Sequence, residues 1–132
     1  MESLMDCGFT FSEASGKLPI SATFGPNYMA AKLYKNCPLE DLELSKMLIR
    51  PRLFFLEETS KKYLLSRLNY GSVKRCYVCE DDEVMGKELQ RYIVENSPPD
   101  DVINIPYAGH MVLLTKPQMM ICFGLLGLAD KY

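Results

Sequence analysis

Apolar residues recur at helical spacing from Pro26 to Lys35, through Met29, Ala30, Leu33 and Tyr34, and this predicts a helix. A second helix is expected from Pro38 to Leu48, with Leu39, Leu42, Leu44, Met47 and Leu48 as its apolar positions. Glu40 and Asp41 fall in its first turn, where carboxylates favour the positive end of the helix dipole, and Arg50-Pro51 stops it. Leu53 to Leu56 reads as a short strand and Ser60 to Leu68 as a third short helix. Residues 1–69 therefore read as a small helical layer.

The pattern changes near Asn69 to Ser72. Val73 to Cys79 is short and rich in strand formers, Met85 to Asn96 places Leu89, Tyr92 and Ile93 on one helical face, and Pro98-Pro99 ends that helix. Val102 to Ile105 is a second strand. Thr115 precedes Pro117 and Gln118 at capping-box spacing, and a last helix is expected to run to about Asp130. Residues 70–132 thus alternate strand, helix, strand, helix, which argues for two parallel strands with crossover helices and an α/β class.

Composition narrows the partners. Lysine and arginine number 15 against 17 acidic residues, a formal charge of −2 without a basic cluster, so neither nucleic acid nor an anionic membrane is an expected partner. Met1 to Asp6 lacks the basic start of a secretory signal. The apolar run Met119 to Ala129 is short of the roughly 20 residues that span a bilayer. Five cysteines, an odd number, fit reduced thiols and a cytoplasmic location better than a disulfide framework. Cys76 and Cys79 have redox-motif spacing but sit in a strand interior without a second pair, so they read as small core residues; no metal site and no cofactor is expected.

In open α/β sheets, reactive residues collect on loops beyond the carboxyl ends of strands. The loop Glu80 to Glu83 is acidic, and the loop Tyr107 to Met111 carries His110, the sole histidine. A carboxylate and an imidazole on adjacent strand ends are the orienting acid and general base of nucleophilic acyl transfer, in the chain order that α/β-hydrolases use. A single loop histidine also serves as a structural or solvated residue in many proteins.

From Phe24 onward, specific segments decide between these readings. Lys35-Asn-Cys-Pro-Leu-Glu-Asp-Leu-Glu-Leu44, Met47-Leu-Ile-Arg-Pro51, Tyr70-Gly-Ser-Val-Lys-Arg75, Lys87-Glu-Leu-Gln-Arg-Tyr92 and Gly109-His-Met-Val-Leu-Leu-Thr-Lys-Pro-Gln118 follow one another in order. In these segments the chain resembles the plant methylesterase and hydroxynitrile lyase family of α/β-hydrolases, most of all its polyneuridine aldehyde esterase type. The resemblance implies the C-terminal portion of that fold, a helical cap followed by two parallel strands with crossover helices. It also implies His110 as catalytic histidine and Asp82 as catalytic acid, since Asp82-Glu-Val-Met-Gly-Lys-Glu88 follows the family's step from aspartate into helix; counting from Arg75 instead would select Glu83. The family's lyases carry lysine after the histidine, whereas this chain has Met111, which favours ester hydrolysis. Leu53 resembles a cap position facing substrate, and a plain core leucine is its alternative. A small apolar ester or aldehyde-ester is the implied ligand.

The departures are as informative. No Gly-x-Ser-x-Gly elbow occurs in the 132 residues, nor does the early His-Gly-type segment that completes an oxyanion hole. Ser72 lies at the wrong end of its strand, Ser45 in a cap helix, and Cys79 too close to Asp82 to replace the serine. The expectation is a truncated chain, inactive alone, whose first parallel strand exposes an open edge for pairing with itself or with a full-length relative. A catalytically inactive binding or regulatory module, or one half of a split or mis-annotated esterase, is the competing reading.

Overall fold

A computed structural model describes residues 4–11, 18–54, 68, 70–79 and 81–131. Two strands absent from the sequence reading open the chain. Strand β1 (Gly8–Phe11) pairs antiparallel with β2 (Pro19–Thr23), and β2 pairs antiparallel with the two-residue β3 (Arg52–Leu53), in the order β1-β2-β3. Phe54 extends the last pairing by donating its N–H to the Ile20 carbonyl at 2.8 Å. The remainder of the expected strand to Leu56, and all but the end of the expected helix Ser60 to Leu68, lie outside the described residues.

Helix α1 (Pro26–Tyr28) runs directly into a wider π-helical turn, Met29–Leu33, closed by the Tyr34 N–H on the Met29 carbonyl at 2.7 Å. Its start is held from a distance. The Asp6 carboxylate accepts the N–H groups of Asn27 and Tyr28, each at 2.8 Å, and so satisfies two donors that a helix N-terminus leaves open. Partial desolvation pulls the Asp6 carboxyl up, but those donors outweigh it and leave it below its ordinary value. Gly25 is required beside them, because a side chain there would have its first carbon 2.2 Å from the Asp6 carboxyl carbon. Tyr28, Met29 and Leu33 are buried, Met29 to 1% exposure.

Helix α2 (Leu39–Leu48) follows after Pro38, as expected, but none of its residues is buried. At roughly 100° per residue, its five apolar positions spread over most of the helix circumference rather than one stripe, so no single face can be covered. Leu39, Leu44, Met47 and Leu48 are all exposed.

Beyond a 3-10 turn at Tyr70–Ser72, strand β4 (Cys76–Cys79) pairs in parallel with β5 (Asp101–Asn104), the register running from Cys76 opposite Asp101 to Cys79 opposite Asn104. Helix α3 (Lys87–Asn96) makes the crossover. Its inner face runs through Gln90, Ile93 and Val94, whereas Leu89 and Tyr92, expected to face inward, are exposed. The C-terminal helical run is broken into α4 (Val112–Thr115), α5 (Pro117–Met119), a π-helical stretch Met120–Leu125 and α6 (Leu126–Lys131). Ile105, Ala108 and Met120 form the core beneath, with Val78, Ile103 and Val112 packed against it. The α/β class is therefore correct, and the three antiparallel strands are an addition to it.

Candidate active site

Parallel pairing brings the carboxyl ends of β4 and β5 side by side, so the loops that follow leave the sheet together. One carries Asp82 and the other His110. At their bases Asp81 (φ 41°) and Tyr107 (φ 59°) adopt left-handed conformations that are uncommon for residues with side chains. The two are tied to each other: the Tyr107 N–H donates to Asp81 Oδ2 at 3.1 Å, and Lys87 Nζ lies 3.7 Å from Asp81 Oδ1.

Asp82 is held on both oxygens. Oδ1 accepts the N–H groups of Val84 at 2.7 Å and Met85 at 3.0 Å, while Oδ2 lies 2.8 Å from His110 Nδ1. Rotation of the carboxylate would break all three contacts. A carboxylate oxygen accepts from the Nδ1–H tautomer, and in that tautomer Nε2 is the nitrogen able to accept a proton. The Asp82 side chain is 9% exposed and that of His110 26%, so the acid is sheltered and the imidazole reachable.

Residues outside the dyad maintain this geometry. Gln90, 6% exposed, donates its side-chain N–H to the Met85 carbonyl at 2.6 Å and anchors the turn whose N–H groups grip Asp82. A glutamine at a core position of α3, one turn after an acidic loop, was the available signal. On the other loop the Thr115 hydroxyl donates to the Ala108 carbonyl rather than capping the following helix as its spacing suggested. Gly109 (φ 70°) passes so close to the segment that follows the π-helical turn that a side-chain carbon would sit 2.9 Å from the Lys35 carbonyl oxygen.

Glu83, the other acid considered, is engaged elsewhere. It accepts from Lys35 Nζ at 2.5 Å and Lys32 Nζ at 3.4 Å, and these lysines hold its carboxyl below the ordinary value of 4.5. Met111 follows His110 directly and is half-buried at the start of α4. Leu53 is 60% exposed; its neighbours Arg52 and Phe54 line an apolar pocket, and strand alternation sends Leu53 to the opposite face, opposite Ser21.

That pocket, about 430 Å³, is walled mainly by Leu4, Cys7, Phe9, Phe24, Ile49 and Phe54. A smaller one of about 80 Å³ lies at the dyad itself, between Val78, Asp82, Met85, Ala108, His110 and Val112. Tyr28 links them. Its ring stacks on Phe24 with centroids 5.4 Å apart, and its phenol is pushed above the ordinary value by burial and then by the charges of Cys7 and Asp82. Among the described residues no group of three or more His, Cys, Asp or Glu side chains could hold a metal ion, and no helix is long and apolar enough to cross a membrane.

No family model matches the chain. Individual proteins do. Methylesterase 10 of Arabidopsis thaliana is 43% identical over 114 residues, 86% of this chain and 42% of the relative, and polyneuridine aldehyde esterase of Rauvolfia serpentina is 41% identical over 113 residues, 85% and 42%. An alpha-hydroxynitrile lyase of Arabidopsis thaliana is 41% identical over 118 residues, 89% and 46%. The crystal structure of polyneuridine aldehyde esterase superposes with a TM-score of 0.84 at 37% identity, over 98% of this chain and 51% of that one. Tomato methylketone synthase I, crystallised with 2-tridecanone, gives 0.84 at 32% identity, over 99% and 52%. The chain is kin to plant methylesterases and hydroxynitrile lyases, over the C-terminal part of those proteins. Its fold matches the C-terminal portion of an α/β-hydrolase, and the chain spans about half the length of these relatives.

Proposed function

We propose that this chain carries the acid and base of a serine-type carboxylic ester hydrolase acting on a small apolar ester or aldehyde-ester. The observation that carries the reading is the Asp82–His110 contact at 2.8 Å with the second carboxylate oxygen already fixed by two backbone donors. His110 Nε2 takes the proton of a serine hydroxyl as that oxygen bonds to the ester carbonyl carbon, and Asp82 steadies the resulting imidazolium. The proton then passes to the departing alkoxide, and water repeats the sequence to release the acid. Positioned general-base catalysis of this kind contributes about 10²–10⁴-fold.

No Gly-x-Ser-x-Gly elbow occurs in these 132 residues, so the catalytic unit needs a segment bearing one, whether in the same protein or on another polypeptide. Residues 1–69 serve as cap and residues 70–132 as part of the core. The apolar pocket beside Tyr28 would take the acyl or alkyl portion, with Met111 as the apolar residue after the base; Leu53, on the other face of β3, would lie outside that pocket. The chain alone should neither react with a fluorophosphonate probe nor hydrolyse a methyl ester. Mixed with the N-terminal half of a methylesterase, it should do both, and Asp82→Asn should lower the rate by about 10⁴-fold. Full activity of a mixture made with His110→Ala would overturn the assignment. The pocket also supports a second reading, a module that binds an apolar ligand without chemistry, and that reading predicts ligand binding by the chain alone with no activity in any mixture.

A further inference from the structure

Asp82 and His110 are fixed from their own loops, but a third element touches both. Glu83 stands inside the turn that folds Val84 and Met85 back onto Asp82 Oδ1, and its side chain bonds to Lys32 and Lys35. Lys32 belongs to the π-helical turn after α1, and Lys35 lies two residues beyond its end. The backbone of Lys35 is meanwhile packed against Gly109, immediately before His110. One short segment, residues 32–35, thus reaches the acid loop by its side chains and the histidine loop by its carbonyl.

We infer that Glu83 is a positioning residue: bonded to Lys32 and Lys35, it latches the α1 segment onto the acid loop and keeps Asp82 in register with His110. The inference rests on the acid–base reading of the dyad and adds a residue to it. Three features support a positioning role over a decorative surface pair. The ion pairs bridge positions 48 and 51 apart in the sequence, so they join separate parts of the fold. Two cations converge on one carboxylate, which restricts it more than a single partner does. The latched residue sits next to the acid, within a turn whose Val84 and Met85 N–H groups are already committed to that acid.

Because His110 is the only histidine, its ring nitrogens can be observed without ambiguity by ¹⁵N NMR on the intact chain. Nδ1–H should be the dominant neutral tautomer, and Asp82→Asn should abolish that preference; if it does not, the dyad itself fails. The latch is tested separately by Glu83→Gln and by Lys32→Met with Lys35→Met. Each should reduce the ratio of Nδ1–H to Nε2–H forms by about threefold or more, the effect expected of coupled neighbours, and should speed hydrogen exchange of the Val84 and Met85 amides. A mere charge effect would shift the ring in opposite directions in the two variants, since one removes an anion and the other two cations. Exchanging the partners, Glu83→Lys with Lys35→Glu, should restore the tautomer ratio. Unchanged tautomer ratio and amide exchange in folded Glu83→Gln, as judged by the rest of its spectrum, would overturn the latch while leaving the dyad intact.

Discussion

The two halves of the molecule hold their residues in different ways. Around α1 the core is small, centred on Met29, and the neighbouring strand β1 is exposed at every position, so much of the definition comes from polar contacts such as Asp6 on the start of α1. Around β4 and β5 the core of Ile105, Ala108 and Met120 lies directly under the histidine loop, and the loops above it are pinned by backbone and side-chain bonds. The difference teaches where precision comes from. The parallel pair supplies the position of both dyad residues, and the α1 half contributes through two lysine contacts to Glu83 and one close backbone approach.

The largest expected effects ask whether these halves are energetically one unit. Met29→Ala and Ile105→Ala each remove a buried side chain and should each cost about 2–5 kcal/mol, measured by urea denaturation. Because residues 32–35 touch both loops, the expected outcome is a single transition lowered in either variant. Two transitions, each sensitive to only one substitution, would break the comparison into two independent folding units.

Gly109→Ala sharpens it at the seam. The left-handed conformation costs a residue with a side chain about 1–2 kcal/mol, and the new carbon would press on the Lys35 carbonyl. Relief requires moving either the α1 segment or the histidine loop. The substitution should therefore destabilise the fold by at least that amount and also shift the His110 ring signals, whereas a stability loss without a ring shift would show that the α1 side yields alone.

Much of the parallel half was legible because its signals are local. Val73 to Cys79 and Val102 to Ile105 announce short strands, Pro98-Pro99 ends a helix, and a histidine beyond a strand end is conspicuous when it is the only one. The choice between Asp82 and Glu83 was not local. It depends on which carboxylate the Val84 and Met85 amides turn toward His110, and on two lysines that arrive from about 50 residues away. Gln90 was overlooked for a related reason, since a polar side chain on the inner face of α3 makes sense only once the Met85 carbonyl is seen above it. Strands β1 and β2 escaped because they are short and exposed or half-buried for the most part, so burial imprints little alternation on them. Leu53 shows the opposite error: the reading found the right strand and chose the residue one place from the pocket-facing Phe54.

A smaller effect follows from pH. Lys35 and Lys32 hold the Glu83 carboxyl below 4.5, so the folded pKa is depressed relative to the unfolded one. For an acid of this kind the stabilisation is complete above the unfolded value and is lost as pH falls through the folded value. The latch should open below about pH 4.5, seen as faster exchange of the Val84 and Met85 amides after allowing for intrinsic rates. Asp81 and Lys87 share the same polar cleft, so the Glu83→Gln variant is the necessary reference. Identical acid profiles in the two proteins would remove Glu83 as the cause.

The smallest expected effect separates chemistry from position. Glu43 and Lys46 form an ion pair at 2.7 Å on α2, three residues apart, with the same functional groups as the Glu83 latch and a comparable distance. Pairs at this helical spacing contribute about 0.2–0.5 kcal/mol and weaken with salt. Lys46→Met should accordingly change stability by no more than about 0.5 kcal/mol and leave the His110 tautomer ratio untouched. Lys32→Met with Lys35→Met, which breaks chemically identical bonds, should move that ratio because its carboxylate belongs to the turn around Asp82. Equal responses to the two sets of substitutions would mean that the ring reports general loss of charge, and the α1 half would then have no part in setting the dyad.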